Sequence, residues 1–158
     1  MSYKWKAAGA GFAFALAFLI GHEGMRYKTY LDTGGVPTVC GGLTGPMIKL
    51  GQYYTHEQCE EMTSERALQS WMEVDELVKV EIEPWTWAAL TSFDYNVGKT
   101  QFKNSTLLKK LNAGDIKGAC NQLSRWVYDN GKKLRGLVRR REAERQLCVG
   151  NLIEAWHQ

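Results

Sequence analysis

The chain has 158 residues, 44% hydrophobic and 23% charged, which suits one full core or two small lobes sharing a helix and excludes a low-complexity polymer. Its net charge of +3 hides an asymmetry: residues 1–100 hold 8 basic and 12 acidic side chains, residues 101–158 hold 12 and 5. A basic C-terminal half favours a polyanionic partner: nucleic acid, an anionic membrane face or an acidic cell-wall polymer.

Lys4 and Lys6 precede residues 7–20, which contain only Ala, Gly, Phe, Leu and Ile. A basic leader before an apolar run is the pattern of a signal segment. The run is shorter than the ~20 residues of a membrane-spanning helix, so a signal-type segment or a core helix is expected. Ala15-Leu16-Ala17 resembles a small-residue cleavage site, yet a cut there would remove the helix leading into Glu23. An uncleaved signal that enters the membrane and later packs as a helix is the reading adopted; a plain buried helix is its rival.

The apolar run ends at Glu23, and Gly24 can stop the helix. Asp32 and Thr38 follow, with Thr33-Gly34-Gly35 marking a turn beside Asp32. Apolar surroundings disfavour a charged carboxylate, whereas an exposed turn keeps one ionised. Glu23 and Asp32 therefore fit an acid and base pair of the kind glycosidic hydrolysis requires.

From Tyr30 to Thr44 the chain is dense in Thr, Val, Tyr and Gly, which predicts short strands and tight turns. Thr55-His56-Glu57-Gln58 fits a capping box and opens a long helix over about 56–80. Pro84 starts a buried helix that stops at Asn96-Val97-Gly98. Short helices follow over about 106–111 and 116–127, then a turn at Asn130-Gly131. The last helix, 136–148, presents Leu137, Val138, Ala143, Leu147 and Cys148 inward and its arginines mostly outward. The expected class is α+β, mostly α. Residues 24–58 form a small β-hairpin lobe and 81–158 a helical lobe, with a polymer-binding cleft between them.

Cys40, Cys59, Cys120 and Cys148 include no CxxC pair and no histidine at ligand spacing, so no metal is expected. Pairing by proximity joins Cys40 to Cys59 and Cys120 to Cys148, although four cysteines allow three connectivities and reduced core thiols are the alternative. Trp85, Trp87 and Trp126 could stack on sugars, but helical spacing favours the core. Arg139-Arg140-Arg141 lacks a DNA-binding framework and is interleaved with Glu142 and Glu144, so no nucleic-acid partner is expected.

These residues resemble the T-even phage-type lysozymes, glycoside hydrolase family 24. The blocks are His22-Glu23-Gly24, Pro37-Thr38-Val39-Cys40-Gly41, Tyr54 to Cys59, Ser92 to Gly98, Phe102 to Leu108, Leu123 to Trp126 and Gly136 to Glu142. The apolar N-terminus and the cysteines look more like the signal-anchor-release endolysins within that family. The resemblance implies a lysozyme-like two-lobe fold, residues 1–22 as signal anchor and 23–158 as catalytic domain. It implies hydrolysis of the β-1,4 bond between N-acetylmuramic acid and N-acetylglucosamine for host lysis. Glu23 would be the general acid, Asp32 the carboxylate that activates water and Thr38 the hydroxyl holding that water, with inversion and no cofactor. Implied partners are peptidoglycan strands and, transiently, the inner membrane through residues 7–20, with a monomer exported to the periplasm of a Gram-negative host. One departure stands out: many members carry Gly-His-Thr where this chain has Gly42-Leu43-Thr44. The rival from another class is a non-enzymatic membrane-disrupting protein built on the apolar segment and the basic face.

Overall fold

The computed structural model describes residues 3–157 and, in the first helix, side chains from residue 11 onward. The side chains of Lys4 and Lys6 therefore lie outside the described residues. Helix α1 runs Tyr3–Glu23 and ends where Gly24 adopts a left-handed φ of 69°. A three-stranded antiparallel sheet follows, β1 (Arg26–Leu31), β2 (Pro37–Cys40) and β3 (Leu43–Thr44), in the order β1-β2-β3. The first strand begins four residues before the density of β-formers suggests.

Helix α2 (His56–Leu77) opens on the expected capping box. The Gln58 amide donates to Thr55 Oγ1 at 3.2 Å, and the Thr55 amide donates to Gln58 Oε1 at 2.8 Å. It stops three residues short of the expected end because Val78 turns to extended backbone. Helix α3 (Pro84–Val97) carries proline in its first turn and ends at Gly98. The helical lobe is completed by α4 (Lys99–Lys103), α5 (Thr106–Asn112), α6 (Ile116–Gln122), α7 (Arg135–Cys148) and α8 (Leu152–Trp156).

Where a helix was expected through Val127, the chain leaves α6 in a 3-10 turn, Leu123–Arg125. It then forms a hairpin of β4 (Tyr128–Asp129) and β5 (Lys132–Lys133) around Asn130-Gly131, both at positive φ. An Asn-Gly pair satisfies the left-handed demand of such a turn at little steric cost.

Two apolar clusters form the core. One gathers Ala15, Phe18, Phe93, Phe102, Leu107, Leu111 and Leu147 in the helical lobe; the other joins Leu19, Val39, Leu43, Ile48, Cys59 and Tyr95 under the sheet. Leu43 is buried in this second cluster. Helix α1 supplies Phe18 to one cluster and Leu19 to the other. Trp85, Trp87 and Trp126 pack against the helical core, as their spacing suggests.

Disulfides join Cys40 to Cys59 and Cys120 to Cys148, closing separations of 19 and 28 residues. Loops of this length give about 3 kcal/mol of stabilisation each in the chain-entropy description. The first bond ties the end of β2 to the first turn of α2.

Between α2 and α3 the buried Asp94 lies beside the partly buried Glu73. Both Asp94 oxygens are buried without a hydrogen-bond partner, with Arg66 Nη2 3.9 Å away. Burial, reinforced by Glu73, pushes the Asp94 carboxyl up to about 7. The folded value stands above the unfolded one, so the folded chain holds this proton more tightly. The group's contribution to stability is then fully present below about pH 4 and is lost as pH rises to about 7. Asp94→Asn is expected to gain stability relative to the parent over that interval, read as the difference between two thermal-melting series across pH. A constant difference would remove Asp94 as the titrating group.

Candidate active site

Glu23 is the last residue of α1, and its side chain is 15% exposed. The wall beside it is not the apolar one its sequence neighbours suggest. Arg140 Nη1 donates to Glu23 Oε1, and Arg140 itself is buried. The expectation that the arginines of α7 face outward fails for Arg140 and Arg141, which are 8% and 1% exposed, and Val138, expected inside, is 37% exposed.

Burial of two guanidiniums is possible because α7 carries their counter-ion. Glu144, fully buried, accepts from Arg140 Nε at 3.1 Å, from Arg141 Nη1 and from Ser92 Oγ at 2.7 Å. Arg140 Nη2 also donates to the Ser92 carbonyl at 3.1 Å, and Arg141 reaches the Trp126 carbonyl and Asn96 Oδ1. The network fixes Arg140, and Arg140 fixes Glu23. Spacing of Glu144 at i+4 and i+3 from the two arginines was the available signal for this.

On its other side Glu23 meets Gly42. A β-carbon there would stand 2.8 Å from Glu23 Oε2, and the glycine has φ of 76°. The neighbouring Gly41 carbonyl accepts from the Tyr95 hydroxyl at 2.6 Å, which anchors this loop to α3. Gly42→Ala is expected to displace a carboxylate that Arg140 holds in place. The result should be an activity loss of about 10²-fold, with about 1–2 kcal/mol lost to the left-handed backbone. Steady-state rates beside a thermal melt would check both; parent-like rates would show that the close approach is dispensable.

Asp32 follows β1, and its Oδ1 accepts from the Gly34 and Val36 amides at 2.9 and 2.8 Å. The turn thus fixes this carboxylate by its own backbone. Thr38, buried in β2, donates its hydroxyl to the Val36 carbonyl at 2.9 Å. With that hydrogen committed, the Thr38 oxygen can face a water only as an acceptor.

Tyr30 pairs with Thr38 across β1 and β2, and its ring lies 4.4 Å beneath the Arg26 guanidinium. Burial raises its phenol, as do the charges of Glu23 and Asp32, while Arg26 works against them. The spacing of acidic residues gave no sign of Tyr30. His22 packs on Phe18 with ring centroids 4.4 Å apart, and burial, then Arg140, lowers its pKa. Between the lobes, Thr33 Oγ1 donates to Asp129 Oδ2 at 2.6 Å. Among the described residues no group of His, Cys, Asp and Glu could hold a metal ion.

A model of the phage lysozyme family matches residues 20–144. The chain is 45% identical over 151 residues to the SAR-endolysin of Bacteriophage PS119, covering 90% of each. Among solved structures, the active form of P1 phage endolysin Lyz superposes with a TM-score of 0.75 at 27% identity, covering 87% of this chain and 84% of that one. The secreted inactive form of the same P1 protein gives 0.54 at 26% identity, covering 68% and 77%. The chain belongs to the phage lysozyme family and is a peptidoglycan-lytic enzyme of host lysis.

Proposed function

We propose that Glu23 is the general acid of this muramidase and that Asp32, with Thr38, activates the water that attacks the sugar. The observation carrying this reading is that each carboxylate has one oxygen engaged and one left over. Arg140 takes Glu23 Oε1, so the transferable proton sits on Oε2, which stands over Gly42. Turn amides take Asp32 Oδ1, so Oδ2 is free to accept from water.

A water between Asp32 and Thr38 donates one hydrogen to each oxygen and turns its lone pair to the anomeric carbon. As Glu23 gives its proton to the leaving oxygen, the glycosidic bond breaks, the water oxygen bonds to carbon and Asp32 receives the water proton. Configuration at carbon inverts. Tyr30 and the neutral His22 border the site without exchanging protons in this scheme.

Association with the inner membrane through residues 7–20 is part of the same proposal, supported by the SAR-endolysin relatives. The association would be transient, and among the described residues no helix is long and apolar enough to cross a membrane. The chain would work as a monomer in the periplasm.

The deciding measurement is the anomeric configuration of fresh reducing ends released from β-1,4 glycan strands, read by proton NMR before mutarotation. The α-anomer first is the expected result; the β-anomer first would replace the water mechanism with a covalent one.

A further inference from the structure

Of the proposed catalytic groups, Asp32 alone is carried by an exposed turn. Its carboxylate is bonded to the amides of that turn, so it moves wherever the turn moves. Thr33, Gly34, Gly35 and Val36 are all exposed, and two of them are glycines. Packing within the small lobe therefore does little to fix this segment relative to Glu23.

From the helical lobe, Asp129 reaches the turn. The Thr33 hydroxyl donates to its Oδ2 at 2.6 Å, across a separation of 96 residues. Asp129 sits in β4, and β4 pairs with β5, which leads directly into α7, the helix that carries Arg140. One continuous stretch thus holds Glu23 through Arg140 and the Asp32 turn through Asp129.

We propose that Asp129 is a positioning residue for the hydrolysis, resting on the reading of Asp32 above. By clasping Thr33 it sets the gap between the two carboxylates in which sugar and water must fit. Because the clasp spans the two lobes beside that gap, a long glycan strand enters from the side with the bond open. The bond re-forms over the bound strand, so its effect falls on turnover more than on binding.

The test uses the full chain on soluble peptidoglycan strands, comparing Asp129→Ala, Thr33→Val, the double variant and Asp129→Asn, whose amide oxygen still accepts from Thr33. Each single removal is expected to lower kcat about tenfold, the size of one hydrogen bond to a charged acceptor. KM should stay within about twofold, since the bond acts after binding. The double variant should match either single one, and Asp129→Asn should stay within about threefold of the parent, because the acceptor is retained. Melting temperatures should be unchanged, because the clasp is at the surface. Parent-like kcat in Asp129→Ala, multiplicative losses in the double variant, or an Asp129→Asn as slow as Asp129→Ala would each overturn the assignment. Asp32→Asn serves as reference: full activity there would remove the role of Asp32 itself, whereas its loss beside an unaffected Asp129→Ala removes only the positioning role.

Discussion

Glu23→Gln is expected to clear permeabilised Gram-negative cells at least about 10²-fold, and up to about 10⁴-fold, more slowly than the parent, the range a positioned general acid supplies. Glutamine has the shape of glutamate and can still accept from Arg140, but it has no proton to transfer to a leaving oxygen. The fold should survive the exchange, because Arg140 retains Glu144 and the Ser92 carbonyl. Turbidity and near-ultraviolet circular dichroism measured together would separate lost chemistry from lost structure. Equal clearing by both proteins would take Glu23 out of the reaction and favour the membrane-disrupting rival.

The largest loss of stability is expected at Glu144→Ala. The alanine leaves Arg140 and Arg141 buried, with like charges side by side and their shared counter-ion gone. Removing one partner from a buried ionic group costs about 3–5 kcal/mol, a large part of the 5–15 kcal/mol that holds a typical domain together. Urea denaturation should show the midpoint falling steeply, and activity should fall as well, since the network also orients Glu23. Glu142→Ala is the contrast on the same helix. Its bond to Arg145 lies between side chains 33% and 28% exposed, and its loss should cost no more than about 1 kcal/mol. Similar midpoints for the two variants would mean that the buried network contributes little.

Much of this architecture could be read from the chain. The capping box at Thr55 and the proline and glycine around α3 are local signals, and the structure follows them because they act within a few residues. The turn around Asp32 was legible for the same reason. What escaped depends on contacts distant in sequence. Arg140 and Arg141 look like solvated cations until Glu144, Ser92 and Asn96 are seen around them, and Ser92 and Asn96 lie on another helix. The hairpin Tyr128–Lys133 was hidden because two-residue strands carry almost no periodicity. Tyr30 enters the site only through its register opposite Thr38, which the spacing of carboxylates cannot reveal.

Phe18 and Leu19 are neighbours on α1, yet one belongs to the apolar cluster of the helical lobe and the other to that of the sheet. Neither lobe can complete its interior without this helix, and the helix cannot dock on one without presenting itself to the other. The two lobes are therefore bound into a single cooperative unit. Denaturation should follow one transition whichever lobe is probed, and a fragment lacking α1 would be left with two incomplete cores.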